Sequence, residues 1–172
     1  PGDVQAASLG VRGLSPVITP NADFYRIDTA LVVPQVDPRT FSLAVRGRVD
    51  RELALSYEQL LAMPQVEVEL PIACVEGWSQ YAMWTGVRMR ELIAAVGGSP
   101  DASVTATSLE KKSKYAVSTL GPEWVRDDLT LVALKLGGED LDIDHGFPAR
   151  LIAPARPGVL QTKWLSRIEV NV

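Results

Sequence analysis

Apolar and polar residues alternate one by one in three separate stretches of this 172-residue chain. Phe41, Leu43 and Val45 interleave with Ser42, Ala44 and Arg46, and Val66, Val68 and Leu70 with Glu67 and Glu69. Near the end, Ile168, Val170 and Val172 interleave with Arg167, Glu169 and Asn171. Successive side chains of an extended strand point to opposite faces, so a period of two marks a strand with one face in a core and the other in water. Strands placed this widely along the chain put a sheet at the centre of the fold.

The segments between them add short helices and more strands. Ser56 with Gln59 forms a capping-box pattern that opens a helix through Ala62, stopped by Pro64. Met89, Leu92, Ile93 and Val96 have helical spacing, and Gly97-Gly98 supplies a stop. Ala102–Ser108 and Tyr115–Leu120 read as strands separated by the basic turn Lys111-Lys112-Ser113-Lys114. Pro122–Asp128 reads as one helical turn, Leu129–Leu136 as a long apolar run closed by Gly137-Gly138, and Ala149–Ala153 as a short strand. Residues 1–40 carry Pro16, Pro20, Pro34 and Pro38 with little periodicity, as expected of a functional or surface-wrapping segment. Many strands with two or three helices give an α+β fold, a β-rich single domain with a mixed or antiparallel sheet. The expectation is one domain over residues 1–172, with residues 1–15 a linker from a larger protein, since the chain begins at Pro1.

Hydrophobic residues make up 47% of the chain and charged residues 22%, the balance of a globular domain with a sizeable core. No run of about 18 apolar residues occurs. Seventeen basic residues against 21 acidic ones leave a net charge of −4, which argues against nucleic acid as the partner. A small anionic ligand held by a few local Arg and Lys side chains remains compatible with that charge.

Cys74 is the only cysteine, so it makes no internal disulfide. A solitary thiol is an inert core residue, a nucleophile or a metal ligand. No cation stands near Cys74 in sequence to lower its pKa, and the one histidine, His145, is far along the chain, so a Cys/His hydrolase is poorly served. A zinc site lacks any ligand-pair spacing. A thiolate does suit a soft or high-valent metal carried in by an organic cofactor.

Four segments bear on that choice. Thr19-Pro20-Asn21-Ala22-Asp23-Phe24-Tyr25-Arg26 resembles the N-terminal pterin-contacting segment of the sulfite oxidase family of molybdopterin oxidoreductases. Cys74-Val75-Glu76-Gly77-Trp78-Ser79 with Trp84-Thr85-Gly86 resembles the molybdenum-ligand segment of one branch, the bacterial molybdenum-dependent methionine sulfoxide reductases. His145-Gly146-Phe147-Pro148-Ala149-Arg150-Leu151-Ile152-Ala153-Pro154 and Gln161-Thr162-Lys163-Trp164-Leu165 resemble the family's second and third cofactor segments. They occur in the family's order over about Gly13 to Val172, a far more specific signal than one motif alone.

The resemblance implies a fold of the sulfite-oxidase molybdopterin-binding type and a molybdenum–molybdopterin cofactor. It implies that Cys74 is the metal ligand. Arg150 and Lys163, with the backbone around Gln161, Thr162 and Lys163, would hold the pterin phosphate; a solvated cation is the competing reading for each basic residue. Asn21 and His145 would bond the pterin's polar edge, with Phe24 and Tyr25 as a wall against its rings, and Ser108 would lie near the cofactor. Glu76, two residues after the ligand, would relay protons to oxygen leaving the metal; an exposed loop glutamate is the plainer reading. Trp78 and Trp84 would wall the site, with core packing the stronger reading for Trp84.

The implied activity is two-electron oxo transfer on a small molecule. An acidic residue beside the metal would repel sulfite, which points to a neutral sulfoxide or N-oxide. His145 and Lys163-Trp164-Leu165 lie on the sulfite-oxidase side, so sulfite oxidation is the alternative, and a non-catalytic molybdopterin-binding module a third reading. No haem-attachment motif is present, so the expectation includes a redox partner such as a haem protein or membrane electron carrier. By analogy with bacterial relatives, an extracytoplasmic location is expected, as the soluble domain of a membrane-attached protein.

Overall fold

The computed structural model describes residues 33–73, 79–110, 115–154 and 161–171. Along these run β1 (Ser42–Gly47), β2 (Leu53–Ser56), α1 (Tyr57–Ala62), β3 (Val66–Ala73), β4 (Ser79–Arg88), α2 (Met89–Ala95) and β5 (Ser103–Ser108). They continue with β6 (Val117–Leu120), α3 (Pro122–Val125), β7 (Leu131–Leu136), β8 (Glu139–Asp140), β9 (Arg150–Ile152) and β10 (Leu165–Asn171). Asn21, Phe24, Tyr25, Cys74, Glu76, Trp78 and the Lys111–Lys114 turn fall outside the described residues.

Two five-stranded sheets form the frame. The first has the order β2-β1-β10-β5-β6. Its one parallel pair, β1 with β10, joins the first strand to the last and sets Val45 opposite Ile168. The second has the order β3-β4-β7-β8, with β9 paired to β7 beside β8. Every pairing in it is antiparallel. The α+β class with mixed and antiparallel strands is the one the alternation implies.

The capping box forms as expected: the Ser56 hydroxyl accepts from Gln59 N at 3.1 Å, and Gln59 Oε1 accepts from Ser56 N at 2.8 Å. β4 is the main departure, because the sequence reading placed no strand between Cys74 and the helix at Met89. Its inward positions include Ala82 and Gly86, which carry little apolar signal, and a register shift between Thr85 and Gly86 breaks the alternation. The strand needs a glycine at position 86, because a Cβ there would fall on the Val132 carbonyl oxygen of β7.

Two apolar clusters share β7, which explains its continuous run. Val132 and Leu134 join the larger cluster, which includes Leu43, Leu60, Leu92, Ile93, Leu151 and Ile168. Leu131, Ala133 and Leu136 face the other way, against Val68, Leu70, Ala82, Trp84 and Ile152. Both faces of β7 are therefore covered, while β3 at the far edge of the sheet keeps Glu67 and Glu69 exposed.

Candidate functional site

Buried polar side chains are rare in this fold, and most of them gather in one place. Among the described residues, His145, Arg150, Gln161, Thr162, Lys163, Ser108, Ser118 and Glu110 are all buried. Burying such groups is unfavourable unless each is hydrogen-bonded.

The chain reaches this place through a sequence of tight turns. Gly137 and Gly138, both with positive φ (63° and 83°), close the β7–β8 hairpin. Leu141 is buried, and Ile143–His145 forms a single 3-10 turn that ends at Gly146. Gly146 has φ of 108° and lies so close to its neighbours that a Cβ would come within 2.9 Å of Arg150 Cβ and 3.1 Å of Lys163 Cβ. Only glycine fits both conditions. A cis Phe147–Pro148 bond then leads into β9, whose first residue is Arg150.

Arg150 is the centre of the cluster. At 3% exposure, its guanidinium donates to the carbonyls of His145 (3.2 Å), Gln161 (3.2 Å) and Leu151 (3.4 Å). It also lies 5.1 Å from the centroid of the Trp84 ring. No carboxylate pairs with it among the described residues, and two of its five N–H groups have no acceptor there. Burial pulls its pKa down to about 10, so the group is still a cation near neutral pH.

The segment before β10 closes around it. Leu151 N donates to Thr162 O at 2.8 Å, and Leu165 N to Ala149 O at 2.9 Å. The Gln161 side-chain oxygen accepts from Ala153 N at 2.9 Å. Lys163, only 9% exposed, donates from Nζ to Asp144 O at 3.0 Å and lies 5.5 Å from the Trp164 ring centroid. The plain surface-lysine reading of Lys163 and the solvated-cation reading of Arg150 do not hold. Trp164 adopts a positive φ of 52°, held by its indole N–H on Ile143 O at 2.6 Å and by Leu109 N on its own carbonyl at 2.7 Å.

β5 and β6 supply the remaining wall. Ser108 sits opposite Leu165 in the β5–β10 register, and its hydroxyl accepts from Glu110 N at 2.9 Å. Ser118 and Thr162 share a buried hydroxyl–hydroxyl hydrogen bond of 2.7 Å. The structure thus brings Ser108, His145, Arg150, Gln161, Thr162 and Lys163 together. Sequence reasoning passed over Ser118 and Glu110. For Ser118 a signal was there, since it shares the inward face of its strand with Leu120.

Two buried cations among hydroxyls and amides, one of them, Arg150, with spare donors and no carboxylate among the described residues, suit an anionic, hydrogen-bonding ligand such as a phosphate ester. This donor set fits the phosphorylated end of a pterin. Among the described residues no group of three or more His, Cys, Asp and Glu side chains could hold a metal ion.

Comparison with known proteins agrees. Mouse mitochondrial sulfite oxidase is 29% identical over 181 residues, covering 90% of this chain and 33% of that one. A putative protein-methionine-sulfoxide reductase subunit of Azospira oryzae is 29% identical over 142 residues, covering 81% and 52%. This chain therefore spans a third of the first of these relatives and about half of the second. The sulfane dehydrogenase SoxCD of Paracoccus pantotrophus shares the fold, with a TM-score of 0.79 over 92% of this chain and 45% of that one, at 23% identity. Residues 30–172 match the model of the oxidoreductase molybdopterin-binding domain, and the chain belongs to that family.

Proposed function

We propose that this domain binds a molybdenum–molybdopterin cofactor and reduces a small neutral sulfoxide or N-oxide by two-electron oxo transfer. The observation that carries the reading is Arg150: a buried guanidinium with unused donors and no carboxylate partner among the described residues. Together with Lys163 and the 161–163 segment, it would hold the pterin phosphate, and His145 the pterin's polar edge. Ser108 lies within the same wall. Cys74 follows Ala73, the last residue of β3, in sequence, and would be the protein's ligand to the metal. Asn21, Phe24 and Tyr25 would complete the pterin contacts.

When bound, the cofactor supplies the electron pair and the oxygen-accepting metal. Overall, the substrate's oxygen would leave as water on uptake of two protons, and an external donor would return the one electron pair that the cofactor gives up. Glu76 is the residue we assign to the proton, and its charge also disfavours an anionic substrate. The electrons would come from a haem protein or a membrane carrier. The naming of one relative as a subunit supports such an assembly. We place the domain on the extracytoplasmic face of a membrane, as part of a larger protein; among the described residues no helix is long and apolar enough to cross one.

Sulfite oxidation is the second reading, favoured by His145 and by Lys163-Trp164-Leu165. Loaded protein offered methionine sulfoxide with a reduced dye, or sulfite with an oxidised one, separates the two. Dye oxidation with sulfoxide that is lost in Glu76→Gln supports reduction. Turnover of sulfite alone transfers the assignment to the second reading.

A further inference from the structure

Tyr57 belongs to neither the sequence motifs nor the polar cluster, yet it touches the chain on both sides of His145. Its hydroxyl donates to Asp140 Oδ1 at 3.0 Å, and Asp140 ends β8 five residues before His145. Its ring meets that of Phe147, two residues after His145, edge-on at 5.6 Å between centroids and 60° between planes. Asp140 Oδ1 also accepts from Lys135 Nζ at 3.0 Å, which ties the contact back to β7. Tyr57 is itself fixed as the first residue of α1, directly after the Ser56 capping box. Phe147 packs against both apolar clusters, so the ring contact lies where the two halves of the core meet.

The turn between those contacts is irregular, and besides Tyr57 it is held by Phe147 N on Asp142 O at 3.3 Å and by Leu165 N on Ala149 O at 2.9 Å. It consists of one 3-10 turn, a glycine with positive φ and the Phe147–Pro148 pair, and among the described residues no strand pairs with it. Yet its carbonyls carry the basic side chains: His145 O holds Arg150, Asp144 O holds Lys163, and Ile143 O holds the Trp164 indole. A small displacement of this turn would move both cations at once. We propose that Tyr57 is a positioning residue that pins the 141–149 turn at its two ends and so sets the spacing of Arg150 and Lys163 for the bound cofactor. This rests on the cofactor reading above and adds to it a residue from the other sheet's helix.

The test compares Tyr57→Phe, which keeps the ring and loses the hydroxyl, with Tyr57→Leu, which loses both contacts. Amide hydrogen exchange is followed along the chain, together with the rate at which loaded protein releases its pterin under conditions where each variant stays folded. For Tyr57→Phe, exchange within residues 141–149 should quicken roughly five- to tenfold, the worth of one hydrogen bond, while β5 and β10 stay as protected as before. Pterin release should quicken in the same order, Tyr57→Leu exceeding Tyr57→Phe. Asp140→Asn, which retains an acceptor oxygen, should fall between wild type and Tyr57→Phe. Exchange that rises equally in both sheets, or a release rate that does not follow the turn, would overturn the proposal. Wild-type protein that takes up no pterin would instead overturn the cofactor reading, and the exchange pattern would still decide whether Tyr57 holds the turn.

Discussion

The Arg150 guanidinium lies 5.1 Å from the centre of the Trp84 ring, so a side chain from β9 rests on one from β4 across the second sheet. A cation over an indole face is stabilised by the ring's quadrupole, the more so where water is excluded. Among the described residues no carboxylate pairs with this guanidinium. Two of its N–H groups have no acceptor among those residues.

Arg150→Lys should lower the stability of cofactor-free protein by about 1–3 kcal/mol, because an ammonium cannot reproduce the planar fork that spans His145 O and Gln161 O. Urea unfolding at neutral pH measures this. An unchanged midpoint would mean that the three carbonyl bonds contribute nothing.

Gly146→Ala meets two obstacles at once, a φ of 108° and a Cβ only 2.9 Å from that of Arg150. A loss of about 2 kcal/mol or more is expected, with Arg150 and Lys163 pushed apart. Thermal unfolding beside pterin retention checks it, and a variant as stable as wild type would contradict this geometry.

The Ser118–Thr162 hydrogen bond predicts strong non-additivity. Ser118→Ala or Thr162→Val alone strands a buried hydroxyl and should cost about 1–3 kcal/mol. The double variant strands neither, so it should cost clearly less than the two singles together. A double-mutant cycle by denaturant unfolding supplies the comparison; additive losses would show that the hydroxyls do not depend on each other.

Asp140 gives the acid response a sign. Its hydrogen bond from Lys135, and then that from Tyr57, hold its carboxyl below the usual value of 3.8 against the opposing effect of partial burial. A depressed folded-state pKa contributes stability that is present above 3.8 and is lost as pH falls through the folded value. The carboxylate is largely exposed, so the effect should stay below about 1 kcal/mol. Between pH 5 and roughly pH 3, Asp140→Asn should lose less stability than wild type. A steeper acid loss in the variant would reverse the assignment.

The strands with one wet face were legible because Glu67 and Glu69, or Arg167 and Glu169, punctuate their apolar residues. β4 was not, since Ala82 and Gly86 at its inward positions carry little apolar signal and the register shift between Thr85 and Gly86 breaks the alternation. β2 was missed because four residues are too few to show a period. Alternation carries no information about the polar cluster. Arg150 and Lys163 look like ordinary cations in sequence, and their burial depends on turns whose carbonyls come from 143–145. Only the order of the motif segments pointed to them. Tyr57 left no trace in any motif, because its role depends on where the β8 hairpin returns to meet α1.

The central claim is that the buried cation cluster holds a molybdopterin. Its most direct test is elemental analysis for molybdenum, with fluorescence of oxidatively released pterin, on protein made in a host able to build the cofactor. The account predicts about one metal and one pterin per chain in the wild type, with Cys74→Ser losing the metal and Arg150→Met the pterin. Folded wild-type protein from that host carrying neither would contradict it.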